Sequence, residues 1–218
     1  MRVKKHKLRA FGTDAMFDMS DRAKALRPEV LGEFVSGLMT DDERAQFNGL
    51  PEGCRMRANA KIYSPENLTC GQFVWIGENA KLDATGGLMI GDHTSIGLDV
   101  FLWSHSSVLT NLCMANASGS PLIKRAATSI GSGCFIGGPS VVLPGCTVGD
   151  GCVILPFSTV TEDLPPFSLA AGSPARCIAK IDAEWVAAKL AELPMDEVAQ
   201  ARHLEQFQAF FARHAAGS

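Results

Sequence analysis

No stretch of these 218 residues holds the roughly 18 consecutive apolar side chains a membrane span requires. The basic opening, MRVKKHKLR, lacks the apolar core of a secretory signal, so a cytoplasmic protein is expected. Neither sign of charge is in excess: 20 Lys+Arg against 23 Asp+Glu leave a formal charge of −3, and no overall field points to nucleic acid. The seven cysteines include no CxxC pair, which removes the common zinc and redox spacings. Disorder is excluded by a hydrophobic content of 46% with 21 glycines, a composition suited to a globular repeat protein.

What is present is a period of six. The run IGSGCF-IGGPSV-VLPGCT-VGDGCV-ILPFST begins each unit on Ile130, Ile136, Val142, Val148 and Ile154, with a small residue fifth in each: Cys134, Ser140, Cys146, Cys152 and Ser158. Six fits neither a helix nor an alternating strand. A repeat of this length predicts an all-β solenoid, a parallel β-helix in which each six makes a short strand and a turn and three sixes close a coil. Cys134, Cys146 and Cys152 fall on the small inward position, where a reduced thiol serves as a compact apolar group. Cys134 and Cys152, three sixes apart, should stack in adjacent coils.

The grid divides the chain. Residues 1–53 read as a basic arm and a helical cap, 54–178 as the β-helix, and 179–218 as C-terminal helices. Residues Ser20 to Leu50 carry an apolar face (Leu26, Val30, Phe34, Leu38), and Thr40-Asp41-Asp42-Glu43 is a capping-box signature for a second short helix ended by Asn48-Gly49. Such caps cover the exposed end of a solenoid. Ile62, Leu68, Ile76 and Leu82 mark ragged early turns; Ile90, Ile96 and Leu102 make one clean coil. The grid then breaks over 108–125, a loop pushed outward, where function tends to gather. After Gly172-Ser173-Pro174, Asp182-Ala-Glu-Trp185 starts a helix that Pro194 interrupts. A second follows from Asp196 to Ala212, with Trp185, Leu190, Leu204, Phe207 and Phe211 as packing residues.

Over about Ala58 to Ile178, the ordered set IGDHTSIGLDVFLWSH, then SPLIKRAATSIGSGCFIGGPSVVLPGCTVGDGCVI, then VTEDLPPFSLAAGSPARCI resembles the hexapeptide-repeat acyltransferases. The nearest branch holds galactoside and maltose O-acetyltransferases and the capsule or lipopolysaccharide O-acetyltransferases. The resemblance implies a left-handed β-helix, a homotrimer, and acetyl-CoA in the groove between neighbouring subunits, used as co-substrate with no metal. It also implies a role in polysaccharide biosynthesis. His105, in Trp103-Ser104-His105-Ser106, matches the general base of the family. A sugar hydroxyl is too weakly acidic to attack a thioester unless a base takes its proton, and His can do so near neutral pH. By the same resemblance Gly97, Gly138, Pro156 and Thr161 match positions lining the pantetheine groove. Arg176 matches a basic residue near the CoA phosphates, and Asp83 lies near an acceptor-contacting carboxylate.

Three departures bear on the donor side. Relatives show Trp-Ile-Gly where this chain has Phe135-Ile136-Gly137, a Gly-Ala-Gly-type turn where it has Leu155-Pro156-Phe157, and often Lys at Glu162. Lys124 or Arg125 from the loop could supply the missing charge. The expected function is therefore acetyl-CoA-dependent O-acetylation of a saccharide or saccharide precursor. The alternatives are N-acylation of an amino sugar nucleotide and a non-catalytic trimeric scaffold. A zinc carbonic anhydrase on this β-helix needs three His ligands, and only His93 and His105 lie in the coils.

Overall fold

The computed structural model describes Asp21, Leu31, residues 34–115 and residues 120–214. The basic arm and most of the expected first helix lie outside the described residues. Two compact units are present, Met1–Met39 and Thr40–Ser218, and the second contains the whole solenoid.

The second unit begins with α1 (Asp41–Phe47), closed at its start by the expected capping box. The Glu43 N–H donates to Thr40 Oγ1 at 3.4 Å, and the Thr40 N–H donates to Glu43 Oε2 at 2.8 Å. Asn48 caps the other end, and Gly49 follows with φ +70°. The helix seals the first coil: Ala45 is buried, and Arg44 Nη1 donates to the Met56 carbonyl at 2.7 Å.

The chain then winds as a left-handed parallel β-helix with three faces. One face carries β1 (Arg55–Met56), β4 (Trp75–Ile76), β7 (Ser95–Ile96), β12 (Phe135–Ile136), β15 (Val153–Ile154) and β17 (Ser168–Gly172), followed by β18 (Ala175–Lys180). The second face carries β2 (Lys61–Tyr63), β5 (Lys81–Asp83), β8 (Phe101–Leu102), β13 (Val141–Val142) and β16 (Thr159–Val160). The third carries β3 (Leu68–Cys70), β6 (Leu88–Ile90), β11 (Thr128–Ile130) and β14 (Thr147–Val148). All coil-to-coil pairings are parallel. Among the described strands of these three faces, β18 alone runs back, antiparallel to β17. In register, Ile96, Ile136 and Ile154 stack on one another, as do Leu82, Leu102, Val142 and Val160. These side chains are all buried and form the core that the period of six encodes.

The ragged early grid has a simple cause. Phe135 pairs with Val153, a coil of eighteen residues, whereas Arg55 pairs with Trp75 and Lys81 with Phe101, coils of twenty. Two added residues per early coil sit at corners and leave the strands in register. Cys134 and Cys152 stack inward in adjacent coils, 2% and 0% exposed, and their thiols donate to the carbonyls of Gly149 and Pro165, each at 3.1 Å.

At the far end, α3 (Ala183–Ala191) is capped by Asp182, whose Oδ1 accepts from the Trp185 N–H at 2.8 Å. Helix α4 (Glu197–His214) lays Phe207, Phe210 and Phe211 around Phe167, with ring centroids 6.1, 5.5 and 4.5 Å away. Two turn glycines make room for these rings. A Cβ on Gly133 would meet the Phe210 ring at 2.8 Å, and one on Gly151 would meet Phe167 at 2.5 Å; both glycines also hold φ +66°. His214 Nδ1 lies 2.9 Å from Asp150 Oδ2 and pins the last turn of the helix.

Candidate active site

The break in the grid begins at the corner between the second and third faces. After β8 the chain forms β9 (His105–Ser106) and α2 (Val108–Leu112), and returns as β10 (Lys124–Arg125), antiparallel to β9. The outward loop therefore starts and ends as a two-stranded ribbon that carries His105.

One coil below, Asp83 ends β5 with its carboxylate turned into the corner, 1% exposed. Oδ1 accepts from the Thr85 N–H at 3.0 Å. Oδ2 accepts from the Ser104 N–H at 3.0 Å and lies 2.5 Å from His105 Nδ1. Burial pushes this carboxyl up. The hydrogen bonds from the Thr85 side chain, the backbone N–H groups of Ser104 and Thr85, and the His105 ring outweigh it and hold the group below the ordinary carboxyl range. Asp83 is thus a carboxylate at neutral pH. A carboxylate only accepts, so the Nδ1 facing it carries the ring proton, and Nε2 of a neutral His105 keeps its lone pair. The ring is 31% exposed and meets Trp103 edge-on, centroids 6.4 Å apart. Ser104, fully buried, braces the corner: its Oγ accepts from the Gly86 N–H at 2.8 Å, and its carbonyl accepts from the Ala126 N–H at 2.9 Å.

Of the remaining candidates, Thr161 alone stands at this corner within one chain. Gly97, Gly138 and Pro156 succeed one another at the corner between the first and second faces, across the width of the second face from His105. Gly97 and Gly138 are packed between coils: a Cβ on Gly97 would meet the Ile136 carbonyl oxygen at 2.5 Å, and one on Gly138 would meet that of Leu98 at 1.6 Å. Thr161 is exposed and shares the His105 corner two coils further along. Arg176 does not project alone. Its Nη1 pairs with Glu162 Oε1 at 2.6 Å, both side chains being largely exposed. Thr85 and Ser104 are the participants that sequence reading missed. The early coil length, which sets Asp83 beneath Trp103-Ser104, was the signal that could have found them. His93 stands apart, stacked on Phe73 with centroids 4.8 Å apart at the opposite edge of the third face.

The inward thiols of the coil are poor nucleophiles. Burial pushes Cys134 up to about 12 and raises Cys146 and Cys152 as well. Alkylation of the native protein by iodoacetamide is expected to modify the exposed Cys113 and Cys177 first, and Cys134, Cys146 and Cys152 only on unfolding, as read by peptide mass spectrometry.

Residues 127–162 match the family model for the bacterial transferase hexapeptide (six repeats), so this chain carries the hexapeptide repeat. A curated Staphylococcus aureus (strain MRSA252) protein, whose name gives acetyltransferase as an inferred activity, is 39% identical over 61 residues. That match covers 28% of this chain, and the chain spans only 31% of that relative's length. Among solved structures, a maltose O-acetyltransferase from Clostridium difficile 630 aligns over 75% of this chain and 90% of its own, with 23% identity and a TM-score of 0.58. A hexapeptide-repeat acetyltransferase from Vibrio cholerae O1 biovar eltor, complexed with acetyl-CoA, aligns over 75% and 91% with 22% identity and a TM-score of 0.50. A galactoside acetyltransferase in complex with coenzyme A covers 77% and 86%, with 24% identity and a TM-score of 0.50. At these identities the likeness is one of fold.

Proposed function

We propose that this chain is an acetyl-CoA-dependent acetyltransferase that acylates a hydroxyl of a saccharide or saccharide precursor, with His105 as general base and Asp83 as the residue that positions it. The observation that carries the reading is the buried Asp83 carboxylate 2.5 Å from Nδ1 of a part-exposed histidine, at the corner where the loop leaves the coil. Nε2 of His105 takes the proton of the acceptor hydroxyl as its oxygen attacks the thioester carbonyl. The C–O bond forms, the tetrahedral oxyanion collapses, the C–S bond breaks, and the imidazolium returns the proton to the CoA sulfur. Asp83 favours the imidazolium while it lasts and fixes the tautomer that leaves Nε2 free to act. A hydroxyl acceptor needs such a base.

The donor side is read through a homotrimer in the cytoplasm. Gly97, Gly138 and Pro156 sit on a different edge from His105, so a groove that uses both edges takes one from each of two neighbouring chains. Pro156 and Thr161 are exposed along such a groove, and Arg176 would meet the nucleotide phosphates at its end. Its Glu162 partner must then yield. Arg176→Ala is expected to weaken acetyl-CoA binding about tenfold or more while leaving a pantetheine fragment without the nucleotide nearly unchanged, and Glu162→Gln is expected to tighten acetyl-CoA. Calorimetric titration of both variants reads this; equal losses for both ligands would remove Arg176 from the phosphate site. The reading as a whole is tested by acetyl-CoA turnover against a panel of sugars, amino sugars and sugar nucleotides. Release of CoA without any acetylated acceptor across that panel would overturn it.

A further inference from the structure

Strand β10 sets Arg125 directly opposite His105 and Lys124 opposite Ser106. Residues directly opposed in an antiparallel pair project from the same face, with Cβ atoms about 4.5–5.5 Å apart. Arg125 is exposed and, with Asn67, Thr85, Gly86 and Gly87, lines a cavity of about 390 Å³. The wall of this cavity is the turn that builds the catalytic corner, since Thr85 donates its N–H to Asp83 and Gly86 donates its N–H to Ser104. Cavity and base are two sides of one turn.

The charge of Arg125 is uncommitted. Among the described residues Arg44, Arg57 and Arg176 each have a carboxylate partner, whereas Arg125, like Arg55, Arg202 and Arg213, has none, and of these four it is the one that lines this cavity. Glu66 stands next to Asn67 in the short 3-10 turn Pro65–Asn67 but does not line the cavity. The other side chains on the wall, those of Asn67 and Thr85, are neutral hydrogen-bonding groups, and Gly86 and Gly87 leave the space open. The Thr85 hydroxyl already serves Asp83, so the guanidinium fork and the Asn67 amide are the donors left on the wall, a pair that suits a planar or tetrahedral oxyanion.

We propose that the acceptor carries an anionic group, a phosphate or a carboxylate, which Arg125 binds in this cavity while the acceptor hydroxyl faces His105. The inference rests on the reading of His105 as the base and adds the acceptor's charge to it. The test titrates wild type and Arg125→Gln, without donor, with glucose, glucose 1-phosphate and glucuronate and with the matching galactose series, and assays acetyl transfer to the same six. A charged sugar is expected to bind wild type about 10- to 100-fold more tightly than its neutral parent, the scale of a charge-assisted contact. The phosphate and carboxylate arms show which anion is taken. In Arg125→Gln that preference is expected to fall to within about twofold, with the thermal midpoint unchanged. Equal binding of neutral and charged sugars, failure of every charged sugar to bind, or a preference that survives the substitution would overturn the proposal. So would a variant whose only defect is a raised KM for acetyl-CoA, which assigns Arg125 to the donor. An anion preference that depends on Arg125, with no acetyl transfer by wild type, upholds the subsite and sinks the transferase reading instead.

Discussion

Replacing His105 with alanine is expected to lower kcat by about 10²–10⁴-fold, the usual scale for a lost general base, while acetyl-CoA affinity, thermal midpoint and oligomer mass stay near wild type. The side chain is part-exposed and contributes little to the core, so its loss should be read in turnover rather than folding. Asp83→Asn is expected to give a smaller fall, also in kcat, because the amide can present its NH2 to Nδ1 and favour the wrong tautomer. The acid limb carries a second signature. The Asp83 carboxyl is held below its ordinary value, so its contribution to stability is complete above about pH 3.9 and is lost as the pH falls through the lowered value. Asp83→Asn should flatten that part of the stability–pH curve. Near wild-type turnover in His105→Ala, or an acetyl group trapped on a cysteine, would reject the mechanism.

Gly138→Ala is expected to be among the most destabilising single-methyl changes in the molecule. The new Cβ would lie 1.6 Å from the Leu98 carbonyl oxygen and 2.7 Å from its carbon, so two coils must part locally. Overpacking of this kind costs about 3 kcal/mol, with further loss if the coil spacing of about 4.8 Å is disturbed beyond the site. Gly49→Ala is the contrasting variant. Its φ is +70° and nothing lies within 4 Å of its Cβ, so only the left-handed backbone penalty of about 1 kcal/mol applies. Urea midpoints at unchanged m should separate the two. Equal midpoints would mean that the coils at Gly138 can relax apart at little cost.

The solenoid was legible because its core is written at a fixed spacing. From Ile130 to Val160 each inward aliphatic falls six residues after the last, and the structure stacks them as that spacing demands. The early coils were harder to read because twenty residues per turn blur a period of six. His105 stood out through its place before the loop. Asp83 was visible as a candidate, but its attachment to His105 depends on which residues lie one coil apart, and that distance is ambiguous until the pairing of β5 with β8 is known. The Arg176–Glu162 pair was out of reach for a similar reason. It closes across the β17–β18 reversal, and nothing local in either segment announces the other.

That reversal has a consequence for polymerisation. A stack of parallel coils offers, at its last turn, the same row of backbone donors and acceptors that each earlier turn offered to the next, and so is open to continuation by another chain. In the longest sheet β18 occupies that row from the opposite direction. Beyond it a newcomer would meet an antiparallel edge bearing the side chains of Arg176 and Lys180, both exposed, instead of the flat aliphatic ladder of the coils. Charge on an edge strand discourages edge-to-edge pairing. The six residues of β18 thus close the edge of this sheet to a parallel newcomer, and a protein ending at Gly172 would leave that edge open.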